Sequence, residues 1–295
     1  MKRTPHHATA AATNTAASWT IHLTARSSIA HGGETRGTIG LLRRELVITP
    51  DGSALQIPII SGNSLRGRLR RIGEELIRDE LGYAGHIPAA AAHALRGGGA
   101  LTKTSAEPLS GSRLAQLRTL VPLIGIFGTA ASGCIVDGAL SVGKVVPHVR
   151  ETAHITGIAS TTSAFEAVQL ETYTRLDDND RHDFTAVVEP GRDVETRSTD
   201  RSRQMMFQVE TFPVGTPFST WAQLRRPSDL ELSFFGEILQ VYSQHGTLGG
   251  RSAIGHGQVD VSVHLERGAQ PDLGLWRQQL DQHRDEVLEA IGHLT

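Results

Sequence analysis

Residues 245–257, HGTLGGRSAIGHG, hold five glycines, one arginine and two histidines. Glycine lets a backbone approach a ligand closely and aim several N–H groups at it. Arg251 puts a positive charge in the middle of the stretch, and His256 adds a donor or a base. The chemistry on offer is anion binding. A plain helix-to-strand connection needs fewer residues. The pattern does not match G-x-x-x-x-G-K-[ST]. Its place between a helix and a strand also reverses the dinucleotide fingerprint, so no nucleotide cofactor is expected.

A basic cluster stands in SLRGRLRRIGEELIRDEL, residues 64–81, where Arg66, Arg68, Arg70 and Arg71 crowd together. Leu65, Leu69, Ile72, Leu76 and Leu81 recur at helical spacing, which predicts an amphipathic helix capped by Asn63 or Ser64. Positive side chains are unfavourable at a helix start, whose dipole is already positive. That same end attracts anions through its free N–H groups. Arg66 and Arg70, four apart on one face, could grip adjacent phosphates. The bland alternative is a solvated basic face balanced by Glu74, Glu75 and Asp79. A third segment, AHGGETRG (30–37), reads as a loop after the first strand.

The elements that must position these groups follow from periodicity. WTIHLTA (19–25) alternates and predicts a half-buried strand, and LVI (46–48) is a second short apolar segment. GALSVGKVV (138–146) and MFQVETF (206–212) read as strands, with PVGTPF leading out of the second. PSDLELSFFGEILQVYSQHG (227–246) is a helix with a Ser228/Glu231 capping box, ended by Gly246. QVDVSVHL (258–265) is the last strand, and a helix over about 272–292 closes the chain. The order is β-α-β-β-α-β, the α+β ferredoxin-like pattern. In it, the loop after the first strand and the loop before the last meet at one end of the first helix. Residues 83–120 read as an irregular insertion with a short helix, and 165–205 as a polar one.

Composition sets the frame. The chain has 295 residues with 39% hydrophobic content, enough to bury a core. Its net charge of -2 excludes a protein that simply coats nucleic acid, so phosphate binding must be local. The single Cys134 excludes an internal disulfide and a cysteine-rich zinc site, fits a cytoplasmic location, and reads as inert packing. The longest apolar run, LVPLIGIFGTAA (120–131), is too short to cross a membrane. Residues 1–17 read as a disordered Ala/Thr tail without a secretory signal. DDND (177–180) does not continue as a calcium loop, because His182 and Val188 stand where glycine and glutamate are needed. No metal or cofactor site is expected.

Four segments together resemble a known family. HGG at 31–33, IPIISGNSLRGRLRR, FQVETFPVGTPF and LGGRSAIGHGQV are similar, in this order along the core, to motifs of the RAMP superfamily of CRISPR proteins. With its two insertions, the chain looks like the backbone subunit that repeats along a guide RNA.

The resemblance implies a modified RRM palm over 18–295, with fingers at about 83–136 and a thumb at 165–205. It implies guide-phosphate contacts from Ser61, Asn63, Ser64, Arg66 and Arg70, and from Gly249, Gly250, Arg251, Gly255 and Gly257. Arg68, His31, Gly32, Gly33, Ser252 and His256 flank these and join the expected RNA-binding set. Met205 and Met206 would wedge against a base. The partners implied are guide RNA, further copies in a head-to-tail filament, other effector subunits, and a target paired to the guide; no membrane is involved. RNA-cleaving relatives carry an aspartate after the first strand. Residues 31–46, HGGETRGTIGLLRREL, have none, and Glu34 is the one carboxylate of the loop proper. No target cleavage and a type IV assignment follow as expectations.

Two other readings are a metal-independent guide-processing endonuclease, with His31, His22 or His256 as general base, and an interaction module without RNA.

Overall fold

The computed structural model describes residues 16–100, 111–131, 133–175 and 205–294. The first strand, β1 (Ala16–Ala25), alternates as its sequence requires, burying Ala17, Trp19, Ile21, Leu23 and Ala25. Four short strands follow: β2 (Gly32–Arg36), β3 (Ile39–Leu42), β4 (Arg44–Ile48) and β5 (Ala54–Pro58). Helix α1 (Gly62–Leu81) leads to α2 (Ala89–Gly97), α3 (Gly111–Leu120), α4 (Pro122–Phe127) and the hairpin β6 (Thr129–Ala131)/β7 (Cys134–Val136). Next come β8 (Leu140–Val142), β9 (Val146–Pro147), α5 (Ala153–Thr156), β10 (Gln169–Arg175), β11 (Met205–Thr211) and β12 (Pro217–Arg225). Helix α6 (Asp229–Gln244), β13 (Val259–Arg267), α7 (Leu275–Gln282) and α8 (Arg284–Gly292) complete the chain.

The main sheet runs β13-β1-β12-β8 with β9 also on β12, all antiparallel. In chain order that is fourth, first, third, second, with α1 and α6 as crossovers: the ferredoxin-like palm. Both helices cover one face, where Leu65, Leu69, Phe234, Phe235 and Ile238 meet Ile21 and Leu23 in one core. Trp19 meets the Phe235 ring edge-on at 5.1 Å. The Ser228/Glu231 capping box forms as the sequence requires.

Several expectations are corrected. The third palm strand is PFSTWAQLR (217–225), not MFQVETF. Both segments alternate, but only the later one buries Phe218, Thr220, Ala222 and Leu224 beneath the helices. MMFQVET instead forms β11 of a second sheet, ordered β10-β11-β3-β2. HGGE is not a loop, because Gly32–Arg36 pairs with β3 along that sheet's edge. LVI belongs to a separate β4–β5 hairpin. The second palm strand is split into β8 and β9. The closing helix breaks at His283, whose backbone leaves the helical region.

The first insertion is more helical than irregular: α2 packs on α1, and α4 is buried throughout between α1 and α6. The second insertion is rooted in β10 and β11, paired antiparallel from Gln169↔Thr211 to Arg175↔Met205. Residues 176–204, with DDND, lie outside the described residues, as does the expected tail over 1–15. Ala16 and Ala17, also assigned to that tail, begin β1. Among the described residues no helix is long and apolar enough to cross a membrane.

Candidate nucleic-acid interface

The segment that leaves β1 joins the glycine loop to the start of α1. Gly250 N donates to Ala30 O at 2.7 Å, and Gly257 N donates to Ser28 O at 2.9 Å. One residue further on, His31 Nε2 accepts from Ser61 N at 3.1 Å. Ser61 is the N-cap of α1, accepting from Ser64 N, so the cap lies earlier than the expected Asn63 or Ser64. The three segments singled out in the sequence therefore share one surface.

That surface is short of negative charge. The first turn of α1 holds no acidic residue, and the amides of Gly62 and Asn63 have no acceptor among the described residues. Glu74, Glu75 and Asp79 do not balance the arginine cluster, because they pair with Arg96 and Arg78 instead. In the glycine loop, the amides of Arg251, Ser252 and Ala253 have no partner among the described residues, and 251–255 are exposed. Arg251 itself adopts a left-handed backbone, φ 59°, and lays its guanidinium over the Phe207 ring at 5.7 Å. Free donors and unopposed charge gathered at one end of a helix make an anion site.

The arginines of α1 divide by role. Arg70 is 4% exposed and donates to the carbonyls of Ala94, Leu95, Phe127 and Gly128. Burial and the neighbouring Arg66 push its guanidinium down to about 10. It stays charged at neutral pH but has no hand free for a phosphate, which corrects the expected Arg66/Arg70 grip. Arg66 is half-committed, giving one nitrogen to Phe127 O at 2.5 Å. Arg68 is uncommitted: among the described residues its guanidinium has no acidic partner and its buried Nε has no acceptor.

His256 is also reassigned. It is 3% exposed, with Nδ1 2.9 Å from Ser28 Oγ and Nε2 2.5 Å from the Tyr173 hydroxyl. Tyr173 in turn donates to Glu171, which also accepts from Thr211. Partial burial raises the Glu171 carboxyl, but hydrogen bonds from Ser28, Thr211, Tyr173 and Gln169 outweigh it and hold the pKa at about 2. Because the Tyr173 hydroxyl donates to Glu171 it accepts from His256 Nε2–H, while the single Ser28 hydroxyl proton serves either Nδ1 or Glu171 at any one time. His256 is a strut between the loop and β10, not a ligand group or a base. His22 sits on the open face of the palm beside His148 and His264, with ring centroids 6.4 and 5.9 Å away.

His31 is held neutral by burial first and by Arg43 second, both of which lower its pKa. Protonating Nε2 would remove the acceptor for Ser61 N. A lowered folded-state pKa means the contribution is whole above about 6.5 and is lost as pH falls through the depressed value. Urea unfolding at pH ~7.5 and ~5.5 should therefore show a larger acid loss for wild type than for His31→Gln. Equal losses would remove His31 from the cap.

A match to the RAMP superfamily model spans residues 22–260, from β1 into β13. The chain belongs to the RAMP superfamily. A solved chain described as "Type IV-B CRISPR Complex" aligns at 34% identity and TM-score 0.62, covering 89% of this chain and 98% of that one. The crystal structure of Thermofilum pendens Csc2 aligns at 14% identity and TM-score 0.42, over 94% of this chain and 77% of that one. No curated protein sequence matches.

In this RAMP protein Ser61, Gly62, Asn63, Ser64, Arg68, Gly250, Arg251, Ser252 and Gly255 stand on the shared surface. Gly32 and Gly33 lie in edge strand β2. Met206 is exposed on β11, one residue after Met205 at the strand's start. Arg36 and Arg43, which the sequence reading did not single out, are exposed beside the β2–β3 pair; the Arg43–Arg44 doublet stands inside the apolar run GLLRRELVI. Among the described residues no group of acids, histidines and cysteine could hold a metal ion.

Proposed function

We propose that this RAMP protein is a guide-RNA-binding backbone subunit of a type IV CRISPR effector complex, and that it does not cleave the target. The observation that carries the reading is the cluster of unpaired N–H groups and free guanidinium groups where α1 and the glycine loop meet. Similarity to a type IV-B complex chain over nearly its whole length supports the assembly. The contacts offered are to phosphate, so sequence preference is small and salt dependence strong. Copies line up head to tail along one guide, and base pairing with the guide selects the target. The thumb rooted in β10 and β11 reaches the neighbouring copy, and Met205 and Met206 press against a base at its root. The lack of aspartate after β1 supports a scaffold without cleavage, working in the cytoplasm beside other effector subunits.

The test is purification with and without a co-expressed repeat array, reading mass by light scattering and the 260/280 nm absorbance ratio. A large RNA-laden assembly that appears only with the array is the expected result. An RNA-free monomer in both overturns the reading. Within the complex, Arg251→Glu should weaken every RNA alike, by roughly ten-fold at low salt. Loss of affinity for one sequence alone would contradict phosphate binding.

A further inference from the structure

A cleft of about 790 Å³ opens next to His31, between the β2–β3 edge of the second sheet and β5. Its walls carry Arg36, Arg43, Arg44, Glu34, Gln56 and Glu210. The acids and bases do not cancel. Glu210 spends both oxygens inside the wall, accepting from Leu42 N at 2.8 Å and from Arg44 at 2.6 Å. Arg36 and Arg43 have no acidic partner among the described residues, and both are exposed. Glu34 is the one carboxylate left to face them.

Arg43 is fixed from its backbone outward. Its N–H donates to His31 O and its carbonyl accepts from Ile59 N, both at 2.9 Å. A Cβ on Gly33 would stand 2.7 Å from Arg43 Cα, so β2 lies directly against it. The guanidinium is thus delivered beside His31, which holds the α1 cap. Arg43 stands beside the residue that meets the positive end of α1, and Arg36 lies further along the same strand pair, so the cleft presents two arginines to one Glu34 and favours an anion.

We infer that this cleft is a second phosphodiester site, taking consecutive phosphates of single-stranded RNA on Arg43 and Arg36. The strand continues from the α1 cap, past His31, along the outer edge of β2. This rests on the guide-binding reading above and adds to it a path and two residues.

The experiment titrates the full chain with a fluorescent uridine homopolymer and plots log Kd against log salt. It compares wild type, R36Q/R43Q, R36E/R43E, R251E and R225E, with thermal melts for folding. Arg225 lies opposite Ala16, at the far end of the palm. Losing two single-strand phosphate contacts should reduce the slope by about 1.4. Affinity at low salt should fall at least about ten-fold in R36Q/R43Q, and R225E should match wild type. The glutamine pair keeps size and polarity, so it reports even where the glutamate pair melts. If wild type binds and R251E weakens it while both double variants keep the full slope, the cleft inference falls and the guide-binding reading stands. If wild type binds no RNA, both fall. A double variant that binds RNA normally but no longer assembles assigns the cleft to a protein contact and overturns the inference.

Discussion

Arg70→Ala is expected to cost the fold about 2–4 kcal/mol while leaving the salt slope of RNA binding unchanged. Arg70 has the wrong neighbours for a ligand residue and the right ones for a clamp. It donates to Leu95 O and Ala94 O at 2.6 Å each, both in the last turns of α2, where Ala94 O also accepts from Gly98 N and Thr129 Oγ1. It also donates to Gly128 O at 2.8 Å and Phe127 O at 3.2 Å, where α4 ends. One side chain therefore closes two helix ends from the middle of α1. Truncation leaves Leu95 O and Gly128 O without a partner among the described residues, while Ala94 O keeps Gly98 N and Thr129 and Phe127 O keeps Arg66. The desolvation penalty decides the outcome over the small gain from removing a buried charge. Lysine cannot reach four carbonyls from one point, so Arg70→Lys should recover only part of the loss. Urea unfolding measures the first effect, and an RNA titration corrected for folded fraction measures the second. A fully stable Arg70→Ala protein with a shallower slope would return Arg70 to the phosphates.

Gly249→Ala should be nearly as damaging, and here the loss falls on binding as well. Gly249 has φ +80°, where a side chain costs about 1–2 kcal/mol. Its added Cβ would also stand 2.4 Å from Ala30 O. That carbonyl cannot retreat, because it accepts from Gly250 N and so pins the loop to the segment after β1. Gly255 is the matched control: its φ is +96°, but a Cβ there meets nothing within 4 Å. Gly255→Ala should cost the backbone term alone. The expected ranking is a drop in RNA affinity of more than about ten-fold for Gly249→Ala and a few-fold for Gly255→Ala, read by titration beside thermal melts. Equal effects would mean that the loop's hold on Ala30 contributes nothing.

The parts of the fold legible in the sequence were those with a local code. The Ser228/Glu231 capping box specified the start of α6, and the leucine spacing specified α1. The meeting of HGG, the α1 start and the glycine loop was legible because ferredoxin-like connectivity sends all three to one end of one helix. Choosing between two alternating segments was not. MFQVETF and PFSTWAQLR both alternate, and only partner strands far away in sequence decide which lies on β1. GGETR gave no strand signal because it is an edge strand with every residue exposed. The arginines of α1 could be counted but not assigned. Whether an arginine meets solvent or carbonyls depends on α2 and α4, which return to α1 from an insertion. His256 followed the same logic, since its partners come from β10 and the segment after β1.

The strut through His256 has a consequence for energetics at a distance. Tyr173 on β10 touches His256, Phe207 on β11 lies beneath Arg251, and the two rings stack with centroids 5.4 Å apart. The root of the hairpin and the anion-facing loop are thus one mechanical unit. Linkage between them is reciprocal: a ligand that binds the loop more tightly in one hairpin orientation must stabilise that orientation by the same factor. In the filament proposed above, a neighbour that holds the hairpin would therefore also set the affinity of the loop, and coupling between copies would pass through a tyrosine and a histidine without any contact between their ligands.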